Sequence, residues 1–203
     1  MDFIAVLDYE HLDNGMFLKS FARALSKKKK RGIIIHGASE YTERIIQTGV
    51  MREEAELRAI KELNHRLIAL FADEGVSTIG LNGFQKSLIT TDGKEIFVDK
   101  TQLHDLPKQP MLLLSNLGLN TSTGNKQTIP LPELAYTLKH ELNIQEIVVF
   151  SKNESSDIID EQLDDLIRAN EIETGLKEKH LPESFRNTTF TVRLTTANKF
   201  MNR

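Results

Sequence analysis

The sequence of 203 residues contains no cysteine, which excludes disulfide bonds, a thiolate nucleophile and cysteine-ligated metal. It has no apolar run that approaches the ~20 residues needed to cross a bilayer. Its 26 basic and 29 acidic residues nearly cancel, leaving a formal charge of −3, so no overall field attracts nucleic acid or anionic lipid. The first ten residues, MDFIAVLDYE, lack the basic flank of a signal peptide. We therefore expect a soluble cytoplasmic protein that binds neither nucleic acid nor membrane.

Two common catalytic patterns are also missing from the sequence. There is no Gly-x-Ser-x-Gly elbow of the kind that carries a hydrolase nucleophile. No two histidines have the short spacing of a zinc-binding helix, and we therefore predict no metal site. The histidines are His11, His36, His65, His104, His140 and His180.

The arrangement of apolar residues predicts alternating strands and helices. Apolar residues make up 39% of the chain and charged residues 27%, which is typical of a globular protein, and the length suits a single domain over 1–203. Short apolar runs predict strands at Phe3–Leu7, Ile33–Ile35, Val76–Leu81, Met111–Ser115, Ile147–Phe150 and Thr188–Thr195. Helical spacing predicts helices at Phe17–Leu25, Tyr41–Gln47, Glu53–Glu74, Glu133–Leu142 and Asp160–Ala169. Asp92-Gly93 predicts a hairpin between Ser87–Thr91 and Glu95–Asp99.

This order of elements predicts an α/β fold, a three-layer αβα sandwich with a mainly parallel, mixed sheet. Ligands of such sheets bind beyond the carboxyl ends of the strands. Three loops have that placement: an acidic one at Asp8–Asn14, one at residues 35–39 and one at residues 80–83. Glycines in the last two allow backbone N–H groups to approach an anion closely, although glycine at a strand end is also ordinary turn chemistry.

Two further features allow two interpretations each. The basic run Lys27–Arg31 fits a helix C-terminus, where lysines complement the helix dipole, and we favour that over an anion or nucleic-acid patch. Asn64 falls on the apolar stripe of the long helix, where a buried amide needs partners. We interpret it as a hydrogen-bonding post that clamps a loop rather than as a catalytic group.

Several segments, taken in order, resemble the amino acid kinase family, and most closely its N-acetylglutamate kinases. They are Ile33–Gly37, the helix containing Asn64-His65-Arg66-Leu67, Val76–Gly83, Gly93, Pro110–Leu119 and Glu133–Leu142. Residues 1–128 resemble the half that holds the amino-acid substrate, and residues 129–203 resemble an abbreviated nucleotide half.

The resemblance implies a sandwich that transfers the γ-phosphoryl group of ATP to a carboxylate with Mg²⁺, and that forms a homodimer. It implies Lys179 as the catalytic lysine. For binding of phosphate or substrate it implies Gly37, Ala38, Gly80, Gly83 and Arg52.

The sequence also departs from the pattern of this family. Asp8 and Glu10 follow the first strand, where family members have a lysine in a Lys-x-Gly-Gly loop. Ala38 replaces a loop glycine, and Pro130 and Pro132 stand where the family has Asn and Asp. Phosphoryl transfer relies on cations and N–H donors around the spreading charge. We therefore expect a non-catalytic relative that serves as a small-molecule binding or subunit-partner module. The alternative is an active ATP-dependent kinase that phosphorylates the carboxylate of an N-acetylated amino acid, as in arginine biosynthesis.

Overall fold

The computed structural model describes residues 1–152, 166–169, 172 and 174–201. Its strands are β1 (Phe3–Leu7), β2 (Gly32–His36), β3 (Thr78–Asn82), β4 (Ile89–Thr91), β5 (Ile96–Val98), β6 (Met111–Ser115), β7 (Leu117–Asn120), β8 (Lys126–Thr128), β9 (Glu146–Phe150), β10 (Leu166–Arg168) and β11 (Thr191–Thr195). Its helices are α1 (Tyr9–Leu12), α2 (Gly15–Lys27), α3 (Tyr41–Ile46), α4 (Arg52–Asp73), α5 (Lys100–His104), α6 (Leu131–Glu141), α7 (Thr174–His180) and α8 (Ala197–Met201).

Seven strands form the main sheet, in the order β10-β11-β9-β1-β2-β6-β3. All neighbouring pairs are parallel except β10 and β11, which are antiparallel. Strand β1 lies near the centre, where Val6 is opposite Ile35 on one side and Val149 on the other. Because helices cover both faces of a parallel sheet, its strands are apolar throughout, as the fully buried β1 is.

A second sheet of four strands has the order β5-β4-β7-β8. Its β4 and β5 are antiparallel, and they are joined by the turn at Asp92 and Gly93. Gly93 has a φ of +95°, a left-handed conformation that glycine adopts without steric cost. The hairpin predicted from Asp92-Gly93 is thus confirmed.

Alternation along the central strands divides the apolar core into two layers. Ile4, Val6, Ile33 and Ile35 face the layer that contains α6. Their neighbours Phe3, Ala5, Leu7 and Ile34 face the layer that contains α2 and α4. The sheet therefore has helices packed on both faces, and the predicted αβα sandwich with a mainly parallel, mixed sheet is confirmed.

Most predicted elements lie within a few residues of the observed ones, but two differ. Asp8–Asn14, expected as a loop, contains the short helix α1. The helix predicted over Asp160–Ala169 lies largely outside the described residues, and where it is described, Leu166–Arg168 is an edge strand. Both differences involve a short element, four residues in α1 and three in β10, which carries no periodic signal of its own.

Within the described residues, no helix combines the length and apolar character that a transmembrane span requires.

Candidate functional site

The carboxyl ends of the parallel strands lie at one edge of the main sheet and carry polar residues. Asp8 follows β1, Asn116 follows β6, and Ser151 follows β9. His36 is the last residue of β2 and Asn82 the last of β3. All five are buried. This edge is where an open parallel sheet binds its ligands.

A cavity of about 1030 Å³ opens at this edge, at the upper end of the usual range for small-molecule pockets. It lies between the ends of β1, β2 and β6, the start of α6 and the segment that precedes β11. Its walls contain carboxylates, amides, hydroxyl groups and aromatic rings. The lining residues are Asp8, Tyr9, Gly37, Ala38, Asn116, Pro130, Leu131, Pro132, Glu133, Tyr136, Ser184, Asn187, Thr188, Thr189 and Phe190.

Asp8 is the most buried acidic group of the cavity, with 6% of its surface exposed. Its Oδ1 accepts a hydrogen bond from the backbone N–H of Tyr9 at 2.7 Å, and its Oδ2 accepts one from the Ser184 hydroxyl. Burial nevertheless raises the pKa of the Asp8 carboxyl above its ordinary value of 3.8. The hydrogen bond from Ser184 opposes that rise, and the charge of Glu10 adds to it. The end of β1 thus presents a buried carboxyl group to the cavity.

Asn116 contributes an acceptor without a partner. Its Nδ2 donates to the carbonyl of Ile129 at 2.8 Å, which fixes the orientation of the amide because a carbonyl oxygen accepts only. The Oδ1 is buried and has no hydrogen-bond partner among the described residues. A buried polar atom without a partner is rare and calls for an explanation.

Acidic groups surround the outer part of the cavity as well. Burial raises the pKa of the Tyr9 hydroxyl, and the charges of Glu40, Asp13 and Glu43 raise it further. Glu133 stands in the first turn of α6 and lines the cavity together with Asp8. None of the described lining residues is lysine or arginine. The charged side chains among the described lining residues, Asp8 and Glu133, are therefore both acidic.

An apolar wall is formed by the aromatic residues of α6 and the segment before β11. The ring of Tyr136 lies 5.1 Å from the ring of Phe190, measured between centroids, and 4.4 Å from the ring of His140. Tyr136 is 44% exposed, and both Tyr136 and Phe190 line the cavity.

Behind the cavity, His36 and Asn64 join β2 to the long helix α4. The Nδ2 of Asn64 lies 3.1 Å from the Nε2 of His36 and 3.2 Å from the carbonyl oxygen of Leu81. The Nδ1 of His36 lies 3.2 Å from the carbonyl oxygen of Gly37. The Asn64 amide thus ties the helix to the ends of two strands, as the interpretation of Asn64 as a hydrogen-bonding post requires.

A second polar group lies at the end of β9. The Ser151 hydroxyl is 3.1 Å from the Nδ1 of His180, and the Nε2 of His11 is 3.3 Å from the Ser151 carbonyl oxygen. Burial lowers the pKa of His180, and the charges of Lys179 and Lys152 lower it further. Both lysines are adjacent to His180: Lys179 precedes it in α7, and the backbone N–H of Lys152 donates to the His180 carbonyl at 3.1 Å. Neither belongs to the described lining of the cavity.

The structure brings two of the predicted site residues to the cavity. Gly37 and Ala38 line it. Lys179 is exposed on α7 beside His180, and Arg52 is at the start of α4 in an ion pair with Glu43, 2.9 Å from Nη1 to Oε1.

Gly80 and Gly83 are in close contact with other parts of the fold. A Cβ at Gly80 would be 2.3 Å from Cδ1 of Ile68, and one at Gly83 would be 2.4 Å from the carbonyl oxygen of Leu117. Neither glycine is among the residues that line the cavity. Packing thus accounts for both glycines without a ligand.

Several lining residues were not predicted as site residues. Asn116 directly follows the strand Met111–Ser115, and this placement after a buried strand is a signal that could have identified it. Asp8 belongs to one of the three loops expected at the ligand-binding edge and departs from the family pattern, but it is not among the predicted site residues. Ser184 and residues 187–190 precede the last strand and carry no local motif, so only the folded chain places them beside β1.

ATP and Mg²⁺ are the groups that the family resemblance implies, and the described residues of this cavity do not suit a nucleoside triphosphate. The triphosphate would meet the carboxyls of Asp8 and Glu133. Pro130 and Pro132 offer no N–H to a phosphate oxygen. The carboxyl groups of Asp8 and Glu133 are, by contrast, suitable ligands for a cation.

No protein-family model and no curated protein matches the chain by sequence. Solved structures match it by fold. Isopentenyl phosphate kinase of T. acidophilum, in a product complex, aligns with a TM-score of 0.61 and 16% identity over 98% of this chain and 93% of that one. N-acetylglutamate synthase from Neisseria gonorrhoeae, complexed with coenzyme A and N-acetyl-glutamate, aligns with a TM-score of 0.61 and 18% identity over 91% of this chain. Aspartate kinase from Synechocystis aligns with a TM-score of 0.61 and 10% identity over 74% of this chain.

The chain spans 49% of the synthase and 28% of the aspartate kinase. At these identities the likeness concerns the fold. These structural neighbours belong to the amino acid kinase family, so the chain has an amino acid kinase-like fold.

Proposed function

We propose that this protein is a non-catalytic relative of the amino acid kinases, which uses the cavity at the carboxyl edge of its sheet to bind a small molecule. The buried carboxyl of Asp8 at the end of β1 carries the proposal. The resemblance to the family leads us to expect a lysine in this region, and the chain has a carboxyl group there instead.

The electrostatics of phosphoryl transfer support this proposal. Charge spreads over the phosphoryl oxygens in the transition state, and enzymes stabilise it with cations and aligned N–H donors. In this cavity Asp8 and Glu133 are carboxyls, and a negative group beside a phosphate repels it. The charge of these two lining residues is therefore opposite in sign to the one that the transfer requires.

Hydrogen bonding supports it as well. The Ser184 hydroxyl donates to Asp8, and the Asn116 amide donates to the carbonyl of Ile129. The hydroxyl hydrogen of Ser184 and one N–H of the Asn116 amide are therefore engaged within the protein and are not available to a phosphate.

The experiment is a thermal unfolding series of the full chain with millimolar Mg·ATP, together with an assay of ADP release in the presence of an N-acetylated amino acid. A ligand that binds the folded state raises its melting temperature, so we expect no rise with Mg·ATP and no ADP release. A clear rise in the melting temperature, or turnover that depends on the acceptor, would contradict the proposal.

The alternative function is an active kinase for the carboxylate of an N-acetylated amino acid, as in arginine biosynthesis, and one observation favours it. Lys152 and Lys179 are both adjacent to His180, at the end of β9, where a nucleotide phosphate would find positive charge. This function predicts ADP release that is lost in Lys179→Ala and retained in Lys177→Ala, a control on the same helix. Turnover that survives Lys179→Ala would remove this lysine from the alternative.

A further inference from the structure

We propose that the ligand of the cavity is an organic cation, an amine attached to an apolar or aromatic group. The inference rests on the proposed function, because it takes the cavity as a binding site for a small molecule, and it specifies the chemical class of that molecule.

The first argument is the balance of hydrogen-bonding groups in the cavity. The Oδ1 of Asn116 is a buried acceptor without a partner among the described residues, and the residue is only 7% exposed. One N–H of the Asn116 amide donates to the Ile129 carbonyl, and the Ser184 hydroxyl donates to Asp8. A ligand group that reaches the Oδ1 of Asn116 must donate, because an amide oxygen only accepts, and an ammonium group has three N–H donors and no acceptor.

The second argument is charge. Asp8 and Glu133 line the cavity, and Glu40, Asp13 and Glu43 act on Tyr9 at the same wall. Carboxylates that focus a negative potential into a cleft attract a cation and repel an anion. Charged hydrogen bonds from an ammonium group to such carboxylates are also stronger than neutral ones.

The third argument is the aromatic wall. Tyr9, Tyr136 and Phe190 line the cavity, together with the apolar side chain of Leu131. The face of an aromatic ring attracts a cation, and the same rings gain free energy when an apolar group covers them. The cavity thus suits a ligand with a charged end and an apolar body.

Basic residues elsewhere in the chain do not change the argument from the charge of the cavity. Lys152 and Lys179 lie beside His180 and are not part of the described lining. Of the residues outside the described part of the chain, Arg203 is the only basic one by sequence.

The experiment uses three probes that share an indole ring and differ in charge: tryptamine, tryptophol and indole-3-acetate. Each is titrated into the full chain by calorimetry at neutral pH and low salt. We expect tryptamine to bind at least about tenfold more tightly than tryptophol, because only the amine gains the charged hydrogen bonds. We expect indole-3-acetate to bind most weakly.

Substitutions of the acidic lining residues test whether tryptamine binds in this cavity. Glu133→Gln keeps the side-chain shape and is expected to weaken tryptamine by about tenfold, while the affinity for tryptophol is unchanged. Asp8→Asn, which keeps a side-chain acceptor for the backbone N–H of Tyr9, is a second variant with the same expected result. The control is Glu95→Gln, in the exposed β4–β5 hairpin away from the cavity, which is expected to leave all three affinities unchanged.

Equal or tighter binding of indole-3-acetate overturns the inference, and so does an absence of tryptamine binding at millimolar concentration. A tryptamine affinity that Glu133→Gln and Asp8→Asn both leave unchanged also overturns it, because the amine then binds elsewhere. Failure of the proposed function has a different signature, namely binding or turnover of Mg·ATP. The two ideas are therefore tested by separate measurements.

Discussion

His36 is fully buried at the end of β2, and this burial lowers the pKa of its imidazole to about 4. Since the Gly37 carbonyl can only accept, Nδ1 carries the hydrogen, and Nε2 accepts from the Asn64 amide. The folded protein thus holds His36 neutral at any pH well above 4. In the unfolded chain the same imidazole takes up a proton near its ordinary pKa of 6.5.

The first prediction concerns pH. Between pH 6.5 and about 4 the unfolded chain binds the proton at His36 and the folded chain does not, so acid favours unfolding. We expect His36 to lower the free energy of unfolding by up to about 1.4 kcal/mol for each pH unit in that window. The measurement is urea unfolding of the wild type and His36→Gln at a series of pH values. The stability difference between them should shrink toward pH 4. A constant difference for His36→Gln contradicts the prediction.

The second prediction concerns Asn64, which is 2% exposed. Asn64→Leu removes the donor of two buried acceptors, the Nε2 of His36 and the carbonyl of Leu81. An acceptor left without a partner costs about 1–3 kcal/mol, so we expect a loss of at least about 2 kcal/mol in chemical denaturation. His65→Ala, at the exposed neighbouring position, should change stability by less than about 0.5 kcal/mol. Equal effects at the two positions would show that Asn64 is not a structural post.

At the scale of elements, the loop after β3 is held against β7 by close backbone packing. The absence of a side chain at Gly83 allows the carbonyl oxygen of Leu117 to lie 2.4 Å from the position that a Cβ would take. The backbone N–H of Ile89 donates to the Gly83 carbonyl at 2.7 Å. The small sheet is thus attached to the main one at a position where only glycine fits.

The third prediction tests that attachment. Gly83→Ala forces a backbone shift, because the added Cβ would be 2.4 Å from the Leu117 oxygen, and overpacking of this kind costs about 1–3 kcal/mol. Gly15→Ala is the matched control, since nothing lies within 4 Å of its Cβ position, and it should cause no loss. Thermal unfolding of both variants measures the difference. A stable Gly83→Ala protein would mean that the loop relaxes without cost.

The length and apolar pattern of each element decide whether the sequence could predict it. The apolar run of β1 and the stripe along α4 each carry a complete periodic signal within one segment. Strands β7 and β8 have four and three residues, which is too short for a clear pattern, and β7 is stabilised by pairing with β4, which no local pattern shows. Helix α1 has four residues, Tyr9–Leu12, with Asp8 as its N-cap, and it is too short for a periodic signal.

In the candidate site, too, residues with a local pattern could be predicted and residues placed by long-range pairing could not. Gly37 and Ala38 were predicted because a glycine loop after a strand is a local pattern. Residues 187–190 reach the cavity only through the order of the sheet. The resemblance to the amino acid kinases was a basis for predicting the fold. The acidic character of the cavity could be predicted only from the positions at which the chain departs from that family, above all Asp8.

At the scale of the molecule, the two core layers differ in composition. The layer on the α2 side contains a cluster of phenylalanine rings, in which Phe200 of α8 lies 5.3 Å from Phe3, 5.9 Å from Phe21 and 5.5 Å from Phe150, measured between centroids. Helix α8 thus packs on the sheet through the ring of Phe200, which contacts β1 at Phe3 and β9 at Phe150.

The fourth prediction follows from this cluster. Phe200 is 4% exposed, and Phe200→Ala removes its ring from a packed core, which costs about 3–5 kcal/mol. Denaturation of the full chain should show the loss in a single transition. Phe97→Ala, at a position 49% exposed, should change stability by less than about 1 kcal/mol. A mild effect at Phe200 would mean that α8 is not packed firmly on the sheet.

The position of β1 between β2 and β9 governs when the chain can fold during synthesis. One edge of β1 finds its partner within the first 36 residues, but the other edge pairs only with Glu146–Phe150. Until the ribosome has delivered that segment, the central strand has an open row of N–H and C=O groups, which invites wrong pairing. We therefore expect the nascent chain to be most exposed to wrong strand pairing between the synthesis of β2 and that of β9.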